Sequence, residues 1–217
     1  MKNLLYKEMK LAASPLSYFF VAAAFLTFVP GYPILLGAFF TTLGIFYSFQ
    51  TTRENNDVSF SLLLPTAKSD FVKSKFIFIL FIELCSFVIM SVITLIRMAF
   101  LKDAAAYTSN ALMCANFVFL GFAMLIFGLF NFIFVRGFFK TAYYFGKPFI
   151  IYCIIASVVI FCAEALHHIP PLAVMNSFGF ENFGVQIIVF AAGAALFALL
   201  TAAAIKKSIK SFEEADM

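Results

Sequence analysis

Long apolar runs separated by short polar intervals make up most of the chain. The runs lie at about 13–29, 33–50, 76–96, 111–135, 149–166 and 184–205. Since a helix needs about 20 residues to cross the hydrocarbon core of a bilayer, this pattern predicts six transmembrane helices. The expected fold is an all-α, polytopic membrane protein, with residues 1–217 forming a single transmembrane domain.

The first two predicted spans are divided by a turn. No charged residue occurs between Lys10 and Arg53, an interval too long for one crossing. The sequence Pro30-Gly31-Tyr32-Pro33 divides this interval, because proline disfavours a continuous helix. Two short spans are therefore expected, and a re-entrant hairpin is the alternative.

The first 13 residues predict a short amphipathic helix. At about 100° per residue, Leu5, Met9 and Ala12 share one face, and Lys7 and Lys10 lie opposite. Such a helix would lie flat on the inner membrane surface with its lysines toward anionic headgroups. A simple positively charged flank of the first span is the alternative.

The positive charges predict an orientation. If both termini are cytosolic, all but two of the 15 Lys and Arg residues lie in inner segments, and only Arg97 and Lys102 lie outside. This asymmetry follows the positive-inside rule and fits an even number of spans. Because the charges lie at span ends and not on one soluble surface, no nucleic-acid partner is expected.

Composition agrees with a membrane protein that depends on another chain for energy. Hydrophobic residues make up 64% of the sequence and charged residues 12%, with a mean hydropathy of +1.01. No GxxxxGK[ST] phosphate-binding loop is present, and no polar segment is long enough for a catalytic domain. We therefore expect neither enzymatic activity nor a bound cofactor. The four cysteines lie in apolar runs and are interpreted as small buried apolar residues.

Two groups of ionisable residues are candidates for chemistry. Glu83 lies about 10 Å into the third predicted span, where a structural contact with another helix and a role in cargo contact or coupling both remain open. Glu164, His167 and His168 have the i, i+3, i+4 spacing of a helical metal site. They do not match the HExxH motif. The alternative is that these side chains are simply hydrated at the outer membrane interface. No metal site is expected.

The longest polar interval, residues 53–75, connects the second and third predicted spans. Within it, Phe60, Leu63 and Leu64 are spaced along one helical face, and Pro65 ends that face. The interval predicts a short cytosolic helix with an apolar side.

This interval resembles the corresponding loop in short permeases of bacterial ABC type-2 transporters. There, an acidic-polar run leads to a turn close to LLSLPVSR, then an acidic residue, Ile-Val and a lysine entering the third span. Here Glu54-Asn55-Asn56 precedes Leu62-Leu63-Leu64-Pro65, and Thr66-Ala67-Lys68 stands where Val-Ser-Arg is usual. Asp70-Phe71-Val72 stands near the family's Glu-Ile-Val. The layout of the whole chain is also similar to that family.

The resemblance implies a membrane-spanning permease subunit of an ATP-driven exporter in the bacterial cytoplasmic membrane. A coupling helix between spans 2 and 3 would dock on a separate ABC ATPase subunit, which would hydrolyse ATP. The implied coupling residues are Glu54, Phe60, Leu63, Leu64, Pro65, Lys68 and Asp70.

Further partners implied by the resemblance are membrane lipid and a second permease, either another copy or a sister chain, giving a dimer. The implied cargo is hydrophobic or amphipathic: a peptide, an antimicrobial peptide or a lipid. Two alternatives remain: a membrane-embedded enzyme or metal-binding protein using Glu83 or Glu164, His167 and His168, and an accessory scaffold without transport of its own.

Overall fold

The computed structural model describes residues 2–63, 66–141 and 144–214, apart from the side chains of Lys2 and His167. All regular elements in these residues are helical, as the sequence predicts. The α-helices are α1 Lys2–Lys7, α2 Pro15–Phe19, α3 Leu36–Glu54, α4 Asp57–Leu62, α5 Lys68–Phe100, α6 Ala105–Thr108, α7 Phe117–Leu129, α8 Arg136–Thr141, α9 Gly146–Ala165 and α10 Phe183–Glu213.

Several tighter or wider helical turns extend these helices. A π-helical turn, Glu8–Ala12, follows α1, and another, Phe130–Val135, joins α7 to α8. A 3₁₀-helix, Phe20–Phe28, continues α2, and two short ones, Leu166–His168 and Pro170–Asn176, follow α9.

In the described part of the chain, four helical stretches are long and apolar enough to cross a membrane. They are Lys68–Phe100, Phe117–Thr141, Gly146–Ala165 and Phe183–Glu213. The bent pair Asn3–Ala12 and Pro15–Phe28 adds a fifth if it counts as one span. Helix α3 is 19 residues long, but its buried residues include Thr41, Thr42, Ser48 and Thr52, which lower its apolar character. The chain is thus a multi-pass helical protein with four to five candidate spans, where the sequence pattern predicts six.

The stretch Pro15–Phe28 has few residues for a membrane span, but its second part is a 3₁₀-helix, which is longer per residue than an α-helix. A 3₁₀-helix rises about 2.0 Å per residue against about 1.5 Å in an α-helix, so these residues extend about 25 Å, close to the hydrocarbon thickness. Its terminal carbonyl groups are satisfied from elsewhere in the chain. Arg97 donates to the Thr27 carbonyl at 2.6 Å, and Tyr107 donates to the Phe28 carbonyl at 2.9 Å.

The N-terminal helix meets the following stretch at 89°. Its buried residues are Leu4, Glu8 and Ala12, so the buried face is rotated relative to the predicted face of Leu5, Met9 and Ala12. The reason is a buried polar contact of Glu8, described below, which periodicity of apolar residues does not reveal.

Small residues allow the long helices to pack closely within the subunit. Helices α7 and α10 approach so closely that a Cβ atom on Gly193 would overlap the backbone of Gly121. A Cβ atom on Gly44 of α3 would lie 2.6 Å from the Cβ of Phe20. The glycines in the interior of predicted spans 2, 4 and 6, namely Gly37, Gly44, Gly121, Gly128 and Gly193, therefore serve packing inside the chain.

Aromatic rings fill the core at the end of the bundle that carries α1 and α4, which we call the basic end. The fully buried rings there include Phe49, Phe71, Phe138, Phe139 and Phe212. The ring centroids of Phe49 and Phe138 are 4.8 Å apart, and those of Phe71 and Phe212 are 5.6 Å apart. These contacts hold α3, α5, α8 and α10 together beneath α4.

Candidate functional site

Helix α4 is a short surface helix that follows α3 after a sharp turn. Asn56 adopts a left-handed backbone conformation, with φ of 50°, and this reverses the chain direction before Asp57. Val58 and Ser61 face inward and are buried. Two large apolar side chains, Phe60 of α4 and Leu63 directly after it, point outward: Phe60 is 59% exposed and Leu63 is 85% exposed.

Two exposed apolar side chains on neighbouring positions of one turn form a small apolar face. This is the face that the spacing predicts, for the two members that the structure describes. Leu64, the third residue predicted on this face, and Pro65, which is predicted to end it, lie outside the described residues.

The remaining predicted coupling residues lie at the helix ends on either side of α4. Glu54 is the last residue of α3, is exposed and accepts a hydrogen bond from Gln50 at 3.0 Å. Lys68 begins α5. Asp70 lies in the first turn of α5, where a carboxylate is favoured by the helix dipole, 3.7 Å from Lys73.

Beneath α4 lies a buried group of four charged side chains, Lys7, Glu8, Asp57 and Lys75, which we call the charge cluster. Lys75 Nζ lies 2.5 Å from Glu8 Oε2 and 3.8 Å from Asp57 Oδ2. Lys7 Nζ lies 2.7 Å from Asp57 Oδ1 and 3.5 Å from Glu8 Oε1. The two positive and two negative charges balance.

Hydrogen bonds and an aromatic ring complete the charge cluster. Lys75 donates to Thr52 of α3 at 2.7 Å, and Lys7 donates to Ser61 of α4 at 2.5 Å. The ring of Phe71 lies 5.2 Å from Lys7 Nζ and 5.8 Å from Lys75 Nζ. Lys75 and Glu8 are only 3% and 1% exposed, so removing either one would leave its partner as a buried, unpaired charge.

The charge cluster joins the N-terminal helix, α3, α4 and α5 at one point. From sequence, Lys7 was expected to face lipid headgroups, and Glu8 was not singled out. One signal was available: Glu8 is the only acidic residue before Glu54. It also lies at i+4 from Leu4 and i−4 from Ala12, on a face that is otherwise apolar.

A second buried polar group lies within the long helices. Glu83 of α5 is 2% exposed, and its Oε2 accepts a hydrogen bond from Asn131 Nδ2 at 3.1 Å. Asn131 lies in the π-helical turn after α7 and also donates to Thr201 of α10 at 3.2 Å. Among the described residues, Glu83 Oε1 and Asn131 Oδ1 have no hydrogen-bond partner. Glu83 thus meets an amide within the described structure, not a basic side chain.

Glu83 also lines a pocket between α5, α7 and α10. The pocket has a volume of about 220 Å³, and its other walls are apolar side chains, including Leu84, Met124 and Phe197. A carboxyl group with one unsatisfied oxygen beside an apolar pocket is suited to contact with another helix or with an amphipathic molecule.

The predicted helical face of Glu164, His167 and His168 is not formed. Helix α9 ends at Ala165, and positions 167 and 168 lie in the 3₁₀-helix that follows, so the three positions do not belong to one α-helix. Glu164 accepts a hydrogen bond from the backbone N–H of Met113 at 2.7 Å, joining α9 to the segment before α7. The described side chains, which exclude that of His167, include no group of three His, Cys, Asp or Glu residues suited to a metal ion.

Comparison with known families identifies a family model that matches the chain. The family model described as ABC-2 family transporter protein matches residues 3–213, which is nearly the whole chain. No curated protein and no solved structure is significantly similar to the chain. The family match, the all-helical architecture and the multiple apolar helices agree in identifying a membrane component of a transporter: the chain belongs to the ABC-2 family of transporter proteins.

Proposed function

We propose that the chain is the membrane-spanning permease subunit of an ATP-driven exporter and that α4 is the helix that docks on a separate ABC ATPase. The observation that carries this proposal is the exposed apolar face of Phe60 and Leu63 on a short helix held from beneath by the charge cluster. Exposed apolar anchors surrounded by polar residues are typical of protein interfaces. Glu54, Lys68 and Asp70 would form the polar rim, and Leu64 and Pro65 would extend the anchor.

The charge cluster provides a route for motion from α4 into the membrane helices. A displaced α4 carries Asp57, which is paired with Lys7 and lies close to Lys75. Helix α5, which contains Lys75, has 33 residues and is therefore about 50 Å long. Its far end holds Arg97, which binds the end of the Pro15–Phe28 stretch. A stiff helix joined at both ends would transmit displacement across the subunit.

The proposed arrangement in the membrane has six spans, with both termini and α4 in the cytosol of a bacterium. Pro15–Phe28 and α3 would be the two short spans, since they run as an adjacent helical pair. Large apolar side chains are exposed on α9 and α10, including Ile154, Phe161, Ile188 and Leu199. These faces would contact lipid and a second permease, either another copy or a sister chain, giving a dimer.

The proposed cargo is hydrophobic or amphipathic. The support is the apolar pocket beside Glu83, since a carboxyl group at its edge suits a molecule with one polar group. The abundance of phenylalanine is no argument for such a cargo, because many of these rings pack on one another in the core. ATP would be bound and hydrolysed by the partner ATPase, and this chain would bind no cofactor.

The substitution Leu63→Asp tests the docking proposal. The side chain is 85% exposed, so the change costs the permease little, but it places a charge in the proposed apolar contact. Loss of an interface anchor of about 2 kcal/mol corresponds to a roughly 30-fold weaker complex. We expect the variant to insert into the membrane normally. In a mild-detergent pull-down from the native host, the amount of ATPase recovered with it should be at least tenfold lower than with the unsubstituted chain.

Phe100→Asp is the matched control, because Phe100 is 82% exposed and lies at the other end of α5. It should retain the ATPase. Normal ATPase recovery with Leu63→Asp would show that α4 is not the docking helix. Equal losses with both variants would show that the effect is not specific to α4.

A further inference from the structure

A second pocket at the basic end lies between α8 and the beginning of α9. It has a volume of about 470 Å³. Arg136, Lys140 and Lys147 line it together with the apolar side chains of Ile133 and Ile151. The pocket therefore combines three positive charges with an apolar wall formed by two long helices.

The positive charges at this pocket have no acidic partners in the described structure. None of Arg136, Lys140 and Lys147 forms an ion pair with a described carboxylate, whereas Lys7 and Lys75 are paired in the charge cluster. A fourth cation, Lys207 of α10, approaches the same region: its Nζ lies 5.3 Å from the Phe132 ring, and Arg136 Cζ lies 5.1 Å from that ring. Phe132 also lines the pocket. The local excess of positive charge favours an anion.

The backbone adds to this preference. Helix α9 begins at Gly146, and both Lys147 and Pro148 of its first turn line the pocket. Pro148 has no N–H to donate, but the partial positive charge at the N-terminal end of a helix dipole favours anionic groups nearby. The basic side chains and the N-terminus of α9 therefore both favour an anion in this pocket.

We propose that this pocket binds an anionic phospholipid. The phosphate of the headgroup lies among Arg136, Lys140 and Lys147, and an acyl chain lies along Ile133 and Ile151. This occupant matches both parts of the pocket, because it alone pairs an anionic group with a chain that belongs in the bilayer. Basic pockets between membrane helices on the cytosolic side are suited to such lipids, since that leaflet is rich in anionic headgroups.

An acidic surface of a partner protein is less well matched. It would satisfy the basic rim but would leave Ile133 and Ile151, which belong to apolar helices, without a comparable partner. The inference is independent of the docking role of α4, because a lipid site requires neither an ATPase nor a cargo.

The test is native mass spectrometry of the purified, delipidated full-length chain. It is titrated with dioleoylphosphatidylglycerol, with dioleoylphosphatidylcholine and with inorganic phosphate. We expect the phosphatidylglycerol to bind at least tenfold more tightly than the phosphatidylcholine, with no retained phosphate. The triple variant Arg136→Gln, Lys140→Gln, Lys147→Gln should lose this preference.

The matched control removes three positive charges elsewhere on the predicted cytosolic side: Lys10→Gln, Lys73→Gln and Lys210→Gln. All three are exposed. This control should keep the preference for phosphatidylglycerol. A second variant, Ile151→Trp, places a larger side chain at the apolar wall and so reduces the space for an acyl chain without changing the charge. It should weaken phosphatidylglycerol binding.

Several results would overturn the proposal. Equal binding of the two lipids would show only a general apolar surface, and retention of inorganic phosphate by itself would show a simple anion site. A pocket variant that binds phosphatidylglycerol like the wild type would also exclude this location. If that variant kept the lipid but lost a co-purifying ATPase, the pocket would belong to a protein interface.

Discussion

Two buried carboxyl groups in this protein are accommodated in different ways. Glu8 contacts Lys75 and is close to Lys7, so its charge is compensated. Glu83 contacts only the amide of Asn131 among the described residues, and its other oxygen is unsatisfied there. Since a buried charge without a partner is costly, burying the Glu83 carboxyl group costs more free energy than burying that of Glu8.

The substitution Glu83→Gln tests what this group does. Glutamine keeps an oxygen for Asn131 Nδ2 and adds an N–H donor for Asn131 Oδ1, while it removes an ionisable group from a fully buried position. We expect a gain of about 1 kcal/mol. For a chain of this size, that raises the unfolding midpoint by about 2–4 °C.

Thermal unfolding in detergent measures the change, and Glu83→Leu is the comparison. Leucine removes one of the two acceptors of Asn131 Nδ2, leaving only Thr201, and should lower stability by about 1–3 kcal/mol. If Glu83→Gln also lowers the midpoint by several degrees, the carboxyl group is ionised and paired. Loss of transport with unchanged stability would assign it a role in transport.

At the level of elements, the proposed docking function depends on two short helices, α4 and the α1 helix beneath it, and both depend on their neighbours. Helices α1 and α4 have six residues each, too few to be stable alone in water. They are held by the charge cluster, which connects them to α3 and α5. We infer that the position of α4 depends on charged residues in two distant parts of the sequence: Lys7 and Glu8 near the beginning of the chain, and Lys75 in α5.

A double-mutant cycle at Glu8 and Lys75 tests this dependence. Lys75→Met leaves Glu8 buried beside a single lysine, and breaking a buried pair costs about 3–5 kcal/mol. Lys75→Met with Glu8→Gln removes one charge of each sign and leaves Lys7 paired with Asp57. We expect the double variant to unfold at a higher temperature than Lys75→Met alone.

The control for the cycle is Lys73→Met with Asp70→Asn, an exposed pair in the same helix. Because exposed pairs contribute little, these changes should be nearly additive and small. Additive effects at Glu8 and Lys75 would contradict an energetic link between the N-terminal helix and α5.

For the whole molecule, the distribution of charge and the arrangement of the helices support the same proposed orientation in the membrane. The two helical stretches before α4 and the long helix α5 place α1 and α4 at one end and Arg97 and Tyr107 at the other. By the positive-inside rule, we propose that the first end lies in the cytosol. The proposed membrane topology therefore rests on charge, while the helical arrangement determines which segments lie at the same end.

Accessibility of single cysteines tests this topology. In a chain lacking Cys85, Cys114, Cys153 and Cys162, we place a cysteine at Ser59 of α4 or at Asp103 after α5; both positions are exposed. A membrane-impermeant maleimide added to intact cells should label Asp103→Cys at least tenfold more than Ser59→Cys. Permeabilised cells should label both. Labelling of Ser59→Cys in intact cells would invert the proposed orientation.

The native cysteines differ in their suitability for such labelling. Burial raises the pKa of the Cys114 thiol to about 11, so it stays protonated near neutral pH and reacts slowly. Cys162 is exposed and must be removed from the labelling background.

The sequence by itself determined the class of protein, the all-helical fold, the break at Pro30 to Pro33 and the apolar spacing of Phe60 and Leu63. These are local properties, since apolar content, proline and helical period act over a few neighbouring residues. Helix ends were less accurate: α5 begins at Lys68, where the predicted span begins at about 76, and α7 begins at Phe117, where the predicted span begins at about 111. Those limits depend on contacts that the local pattern does not contain.

Only the tertiary structure decided which buried polar groups meet. Glu8 and Lys75, Glu83 and Asn131, and Gly121 and Gly193 are pairs distant in sequence, brought together by the path of the chain. A charge placed in an apolar environment must find a partner, but its neighbours along the chain do not identify that partner. For this reason the sequence indicated the apolar face of α4 that we propose as the docking face, and the tertiary structure identified the charge cluster that holds this helix.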